Sequence, residues 1–516
     1  MKIYNKILCG LALITAGALT SCIGDLDVEP IDPNLNTPGN VFTSEEDYIK
    51  LLAKCYSGLS VSAPEGPNSD PDISGIDGGF GQYLRALYNL NELPTDEGVM
   101  AWVDQTVQDL HGLKWSTSDV FIGAMYSRLF YQISICNEFI RQARSSGYNS
   151  EQMQTWIAEA RCLRALSYYH AIDMFGNVPF VTEDIEVGGI VLPKQISRAE
   201  LYNWLVNEEI PGFIDLLKPA RQNEKYRVDQ GVAKMILAKL YLNAEVYAKV
   251  KAYDKCVDVC KDLINAGYTL ENNFKALFGA DNDRFWGSEI IFSVYQDGVN
   301  AQNYGGTTFM ICAMTHGDWS DRVGASEGWG GIRVTPEFVD QFSDNDLRGN
   351  FYTEKHKKEI NEVGTFTDGY AYMKYSNLKE DGSKGQHGVF MDCDFVVFRM
   401  ADVYLMLAEC AKRNAGNITE AEGLNYFNMI RKRVQVTPYN SYTLNDVLDE
   451  RGRELAWECH RRSDLVRYNK LTSESKLWAW KGHVKEGRSV DSKYNLFPIP
   501  ASDLNTNTNL VQNPGY

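Results

Sequence analysis

The sequence predicts a mainly α-helical protein, in which tetratricopeptide-like helical hairpins form a scaffold, long irregular loops carry the binding residues, and β-structure is scarce. Two observations predict this class. Apolar residues recur at helical spacing in several segments, and two pairs of these segments each span about the 34 residues of a tetratricopeptide unit. The stretches between the helical segments are rich in glycine, aspartate, asparagine and aromatic residues. We therefore expect about four imperfectly repeated hairpins.

The first residues predict export and attachment to a membrane. Two lysines precede an apolar run, residues 7–19, that is too short to cross a bilayer, since a spanning helix needs about 20 apolar residues. The run ends in the sequence LTSC, which resembles a bacterial lipobox that closes at Cys22. We expect a signal peptide over residues 1–21, lipidation of Cys22, and an extended tether, rich in proline and acidic residues, over residues 22–42.

The remainder, residues 43–516, is predicted to be one domain of helices and loops. Residues 399–412 place apolar side chains every three or four positions and so form one apolar stripe, and residues 419–434 follow as a second helix. Residues 231–249 and 252–268 repeat this plan. Earlier helices are expected at about 119–145, 152–174 and 197–218, and the binding loops at about 60–118 and 268–396.

Composition excludes several classes of function. The 516 residues carry a formal net charge of -17, which opposes binding to nucleic acid. Of the eleven cysteines, Cys9 lies in the signal and Cys22 would be lipidated, and the nine others contain no CxxC pair. We expect those nine to be buried free thiols. We predict no cofactor and no metal ligand set, and the binding of a structural calcium ion by the acidic loops is the alternative that stays open.

Four motifs, in order along nearly the whole chain, resemble the SusD/RagB family of outer-membrane nutrient-binding lipoproteins. They are RCLRALSYYHAIDMFGNVPFVTED (161–184), FRMADVYLMLAECAKRNAG (398–416), VLDERGRELAWECHRRSDLVRYNKL (447–471) and YNLFPIPASDLNTNTNLVQNPGY (494–516). In the third motif, arginines and glutamates recur at helical spacing, which permits ion pairs and indicates architecture rather than catalysis.

This resemblance implies a function, a partner and a location. The family implies a lipid-anchored protein on the outer face of the outer membrane that captures a glycan and delivers it to a SusC-like TonB-dependent transporter. Two alternatives stay open: a RagB-like protein that captures peptides, or a lid on the transporter with weak affinity of its own. Acidic residues soon after Cys22 resemble the surface-export signal of such lipoproteins.

The first candidate ligand-binding loop covers residues 75–108. Part of it, YLRALYNLNELPTDE, resembles the family segment that precedes the binding loop. The resemblance places Asp77, Arg85, Trp102 and Gln105 near ligand contacts, with Trp102 as the stacking platform, because an indole offers an apolar face to a sugar ring. Gln105 stands where a starch binder is expected to carry asparagine, so starch itself is in question.

The second candidate loop, residues 295–342, offers four more aromatic side chains: Tyr295, Tyr304, Trp319 and Trp329. Its piece GWGGIRVTPEF resembles a family segment that contains a ligand-side tryptophan, which favours Trp329 over Trp319. Each aromatic residue could instead pack inside its loop. Only their convergence in space would favour a binding site.

The sequence predicts no enzyme. A GxSxG pattern surrounds Ser326, but no strand is predicted before it, as a nucleophile elbow would require. The seven histidines form no HExxH-like zinc motif. A glycoside hydrolase needs only two carboxylates about 5 to 10 Å apart. Asp96, Glu97 and Asp104, near Trp102, are the candidates for that alternative.

Overall fold

A computed structural model describes residues 42, 44–185 and 192–516. The predicted signal peptide, Cys22 and the tether as far as residue 41 lie outside these residues. The chain divides into two compact units, Met1–Lys50 and Leu51–Tyr516. In the described part of the first unit, Ser44 and Asp47 form a reciprocal capping box at the start of a short 3-10 turn.

Most of the described secondary structure is helical, which confirms the predicted fold class. The α-helices, in chain order, are α1 (Tyr48–Ser60), α2 (Tyr83–Asn91), α3 (Gln105–His111), α4 (Val120–Ser145), α5 (Glu151–Met174), α6 (Arg198–Trp204), α7 (Gln230–Leu242), α8 (Ala244–Ala248), α9 (Tyr253–Asn265), α10 (Gly306–Met314), α11 (Pro336–Val339), α12 (Met400–Lys412), α13 (Glu420–Arg433), α14 (Leu444–Leu455), α15 (Arg461–Arg467) and α16 (Ala501–Thr506). Among the described residues, no helix is both long enough and apolar enough to span a membrane.

Helical pairs build the scaffold. Helix α4 packs on α5, α7 on α9, α12 on α13 and α14 on α15. Successive pairs also touch, since α5 contacts α7, α9 contacts α12 and α12 contacts α14. Side-chain caps fix where these helices start: Asp119 caps α4, Ser150 caps α5, and Thr419 with Glu422 forms a capping box on α13.

The helix predicted over residues 197–218 is interrupted. Helix α6 ends at Trp204, a single π-helical turn covers Leu205–Glu209, and a 3-10 turn covers Ile214–Leu216. Pro211 explains the break, because proline has no amide hydrogen to donate and its ring clashes with the carbonyl one turn earlier in a continuous helix.

The strands are short and form only antiparallel pairs in the described part of the chain. Their bounds are β1 (Val99–Met100), β2 (Val178–Pro179), β3 (Gln195–Ile196), β4 (Ile290–Val294), β5 (Ile332–Arg333), β6 (Phe351–Tyr352), β7 (Ala371–Tyr372) and β8 (Phe395–Arg399). The pairs are β1 with β5, β2 with β3, β4 with β8 and β6 with β7. The β1–β5 pair joins the two predicted binding loops.

The nine cysteines in the described residues are free thiols, and eight of them are buried. This confirms the prediction of buried free thiols for eight of the nine, whereas Cys459 is half-buried. Buried thiols behave as small apolar side chains, so they contribute packing rather than reactivity.

Candidate functional site

The short β1–β5 ribbon brings two tryptophans together that lie 227 residues apart. Trp102 comes two residues after β1, and Trp329 comes three residues before β5. The indole Nε1 of Trp102 donates a hydrogen bond to the carbonyl oxygen of Trp329 at 3.3 Å. Both side chains are half-buried, so each keeps part of its ring at the surface.

Helix α10 fixes the position of Trp329 and supplies a third aromatic residue. The amide of Trp329 donates to the carbonyl of Cys312 in α10 at 2.7 Å. Tyr304 lies two residues before α10, and its ring centroid is 6.3 Å from that of Trp329 at an angle of 53°. Phe390 supports the tyrosine from the other side, with ring centroids 5.3 Å apart.

Arg85, in the first turn of α2, links the two loops. Its Nη1 donates to the carbonyl of Tyr304 at 3.2 Å, and its guanidinium lies 5.7 Å from the ring centroid of Trp102 and 4.4 Å from that of Phe309. Burial lowers the pKa of Arg85 to about 10, so the side chain stays cationic at neutral pH. Gln82 caps α2 and accepts a hydrogen bond from the amide of Gly306, which joins the starts of α2 and α10.

Asp77 lies beside Arg85 and Tyr304. Its Oδ1 accepts hydrogen bonds from the amides of Gly79 and Phe80 at 2.8 and 3.0 Å, which holds the exposed carboxylate in a local turn. A Cβ atom added at Gly79 would lie 3.0 Å from Asp77 Oδ1, 3.3 Å from Arg85 Nη1 and 3.7 Å from the Cβ of Tyr304. The loop, the arginine and the tyrosine therefore meet around this glycine.

The structure thus brings together five of the eight side chains that the sequence predicts for the site. We call them the aromatic cluster, and its members are Asp77, Arg85, Trp102, Tyr304 and Trp329. Gln105 is the first residue of α3, three positions after Trp102. Its exposed side chain donates to Asp109 at 2.8 Å.

The structure places Trp319 and Tyr295 elsewhere. Trp319 is only 4% exposed and stacks on Tyr352, with ring centroids 4.1 Å apart and planes at 13°, so it offers no open platform. Tyr295 lies directly after β4, its ring centroid is 4.9 Å from that of Tyr226, and it lines a separate cavity.

Four residues near the aromatic cluster escaped the sequence-based prediction. Glu327 accepts a hydrogen bond from Nε1 of Trp329 at 2.8 Å, and Asn68 accepts one from the hydroxyl of Tyr304 at 3.2 Å. Phe309 packs against the guanidinium of Arg85, and Phe390 packs against the ring of Tyr304. Glu327 could have been found from its place two residues before Trp329, but the two phenylalanines look like ordinary core residues in the sequence.

The chemistry of the cluster suits a neutral polar ligand with apolar faces. Three partly exposed aromatic rings supply flat apolar surfaces, while Arg85, Asp77 and the exposed Asp104 supply hydrogen-bonding groups of both charges. A phosphorylated or strongly anionic ligand would be repelled, because carboxylates outnumber cationic side chains at the cluster. Among the described residues, no group of three or more His, Cys, Asp or Glu side chains is arranged as a metal site.

Two of the three carboxylates proposed for hydrolysis are buried. Asp96 is fully buried and paired with Arg461 through two contacts of 2.7 Å. Burial raises the pKa of Glu97 to about 8, and this side chain is 1% exposed. Of the three, only Asp104 is exposed. Ser326 lies in a bend after a 3-10 turn, with no strand before it, so it is not a nucleophile elbow.

The chain is similar to known proteins over nearly its full length. A sequence profile described as the SusD family matches residues 360–516. The starch-binding protein SusD of Bacteroides thetaiotaomicron is 34% identical, and the alignment covers 99% of each chain. SusD-like protein P25 of Formosa agariphila is 24% identical over 80% of this chain and 82% of its own.

Solved structures show the same fold. Surface glycan-binding protein A of Bacteroides thetaiotaomicron, in complex with laminarihexaose, superimposes with a TM-score of 0.72 at 19% identity and covers 91% of this chain and 100% of its own. A SusD superfamily protein of Parabacteroides distasonis superimposes with a TM-score of 0.70 at 21% identity over 92% of this chain and 100% of its own. Since one relative exceeds 30% identity over almost the entire length, the chain belongs to the SusD family.

Proposed function

We propose that this protein captures glycans at the cell surface through the aromatic cluster. One observation carries the proposal: Trp102, Tyr304 and Trp329, which come from distant loops, meet beside Arg85 and Asp77. Sugar rings present apolar C–H faces and a rim of hydroxyls, and aromatic platforms with polar side chains match both. The similarity to a starch-binding protein and to glycan-binding folds supports the same function.

The proposal includes location and partner. A lipid anchor on Cys22 would hold the protein at the outer face of the outer membrane. There it would pass its glycan to a SusC-like TonB-dependent transporter. Family membership and the acidic residues after Cys22 support this part of the proposal. Two or three acyl chains on one cysteine would give stable anchoring, because each buried methylene contributes about 0.8 kcal/mol.

We further propose that the protein binds its glycan without cleaving it. A hydrolase needs two carboxylates that reach the scissile bond. Asp96 and Glu97 are enclosed in the protein interior, which leaves Asp104 as the one exposed carboxylate of the three candidates. Binding requires none of them to transfer a proton.

Calorimetric titration with a panel of soluble polysaccharides, starch among them, tests this function. We expect the wild type to bind at least one member. Either Trp102→Ala or Trp329→Ala should weaken binding about thirtyfold, because a central aromatic contact typically contributes 2 kcal/mol or more. Assays of the same mixtures for reducing ends should detect none.

Tyr148→Ala, in the connection between α4 and α5, serves as the matched control and should bind like the wild type. Binding to peptides but to no glycan would replace glycan capture with peptide capture. Absence of binding to both would favour the transporter lid. New reducing ends would show that the protein is an enzyme.

A further inference from the structure

A further aromatic residue, Phe366, lies beside the aromatic cluster. A Cβ atom added at Gly330 would lie 3.6 Å from both Cγ and Cδ1 of Phe366, so the phenyl ring packs against this glycine. Gly330 directly follows Trp329 in the chain, and the next residue, Gly331, packs in the same way against the indole of Trp102. Three consecutive residues therefore bring three aromatic rings together along one short piece of backbone.

His316 lies next to the same glycine and adds a polar group. It pairs with Trp329 in an isolated antiparallel bridge, and its ring centroid is 6.4 Å from that of Phe366. Its side chain is 60% exposed. Nδ1 of His316 is bonded to Asp318, whereas Nε2 has no hydrogen-bond partner within the described part of the chain. This exposed ring nitrogen is therefore free to bond a hydroxyl of a ligand.

The loop that carries Phe366 is held in place by other side chains. Arg333 of β5 is buried, and its two Nη atoms donate to the carbonyls of Thr365 and Val363 at 2.5 and 2.6 Å. These bonds join the loop to the β1–β5 ribbon beside which both tryptophans lie. Asp368 accepts two backbone amides from the start of the loop, both at 3.1 Å. Because polar contacts fix the loop, Phe366 is not its sole anchor, and its ring stays half-buried rather than enclosed.

We propose that Phe366 and His316 extend the glycan site, so that the protein binds a chain of several sugar units in preference to a disaccharide. The ring of Phe366 would pack against the C–H face of an additional sugar unit, and Nε2 of His316 would bond a hydroxyl of that unit. We call these two residues the extension. The inference rests on the proposed function for the class of ligand, and it adds the length of that ligand and the residues that select it.

Titration with a disaccharide and a hexasaccharide of the same linkage tests the proposal. The probes are maltose with maltohexaose, laminaribiose with laminarihexaose, and the matching pair from any other polysaccharide that binds in the panel. Calorimetry measures the affinity for the hexasaccharide, and NMR titration measures the weaker affinity for the disaccharide. In the series that binds, we expect the wild type to bind the hexasaccharide more tightly, because only the longer chain reaches the extension.

Phe366→Ala should weaken hexasaccharide binding about tenfold, and His316→Ala should weaken it about threefold. Both variants should bind the disaccharide like the wild type, which shows that the aromatic cluster is intact. Phe366→Tyr keeps the aromatic face and should keep the affinity for the hexasaccharide. Phe285→Ala is the matched control and should change neither affinity, since Phe285 is also half-buried but packs against Arg284.

The outcomes separate the extension from the function proposed for the cluster. Wild-type affinity for the hexasaccharide in one variant would remove that residue from the extension, and wild-type affinity in both would overturn the extension while leaving glycan capture intact. Equal losses for the disaccharide and the hexasaccharide would also overturn it, because Phe366 and His316 would then act only by supporting the cluster. A wild type that binds no glycan of the panel would overturn the proposed function, and the extension with it.

Discussion

Single residues decide how the aromatic cluster is shaped, and Gly331 is the clearest case. A Cβ atom at this position would lie 2.8 Å from Cε2 and 3.0 Å from Nε1 of Trp102. Real Cβ atoms do not approach other atoms this closely, so glycine is the residue that lets the indole lie flat on the backbone. The amide of Ala101 also donates to the carbonyl of Gly331 at 2.9 Å, which keeps the two strands in register.

Gly331→Ala should therefore weaken glycan binding about tenfold without contacting the ligand, because the added methyl forces the indole of Trp102 out of place. Calorimetry with the best glycan of the panel measures this. Gly317→Ala is the matched control, since its Cβ would meet no atom within 4 Å and its backbone is not left-handed. Equal affinities for the two variants would mean that the position of Trp102 does not matter for binding.

The sequence predicts some members of the aromatic cluster but does not show which of the candidate aromatic residues lie elsewhere. Motif resemblance favours Trp329 over Trp319, and the structure buries Trp319 against Tyr352, 33 residues later, a contact that nothing in the sequence indicates. The sequence places Tyr295 in the same candidate site as Tyr304 because the two are close in the chain. The loop between them turns away from the cluster, and such a turn depends on contacts such as Tyr295 to Asp297 that composition does not reveal.

Buried ion pairs connect the helices at the scale of elements. The sequence predicted pairs within the arginine- and glutamate-rich motif of α14 and α15, and most of the observed pairs instead join different elements. Glu454 of α14 accepts from Arg399 at the end of β8 at 2.6 Å, and Arg451 of α14 donates to Asp402 of α12 at 2.7 Å. Helical spacing shows which residues share a face but not what lies opposite.

Glu409 of α12 shows how a buried ion pair contributes to the stability of the fold. It accepts two hydrogen bonds from Arg467 of α15, at 2.7 and 2.8 Å, and one from Arg413 at 2.8 Å. Burial alone would raise the pKa of Glu409, but the two arginines outweigh it and lower the pKa to about 2. The Glu409–Arg467 pair is fully buried, so removing the carboxylate leaves the charge of Arg467 compensated, among the described residues, only by Asp464, at 2.8 Å.

Glu409→Gln should reduce the free energy of unfolding by about 3 kcal/mol at pH 7, as measured by urea denaturation. The unfolded pKa of glutamate is about 4.3, above the folded value. The wild type should therefore lose this contribution as the pH falls from about 4.3 through about 2, and the variant should lose less over that window.

Asp283→Asn is the control, because Asp283 and its partner Lys225 are both about 40% exposed, at 41% and 43%. Its free energy of unfolding should change by less than about 1 kcal/mol. If the two substitutions changed the free energy of unfolding by similar amounts, burial would not be what makes the Glu409 ion pair important for stability.

At the scale of the whole molecule, fold class and family could be predicted from sequence because they depend on repeated patterns. Apolar periodicity located the helical pairs, and motifs in a fixed order identified the family. The short helices α2, α3 and α10 inside the predicted loops were missed. Each has nine residues or fewer, which is too short for a clear apolar periodicity in the sequence. Such short helices are stabilised by packing on the scaffold rather than by their own helical propensity.

The proposed attachment also concerns the molecule as a whole. Cys22→Ser should move the protein from the membrane fraction to the soluble fraction of its native cells, because serine cannot take the acyl chains. Immunoblotting of the two fractions measures this, with Cys55→Ser as a control thiol that lies buried in the fold. Unchanged membrane association of the Cys22 variant would contradict a lipid anchor at this position.

A crystal structure of the protein with the oligosaccharide that binds best in the panel tests the central claim most directly. The account predicts a sugar ring within about 4 Å of the indoles of Trp102 and Trp329, with Arg85 or Asp77 bonded to its hydroxyls. A sugar bound only at a distance from both tryptophans would contradict the claim that their convergence forms the glycan site.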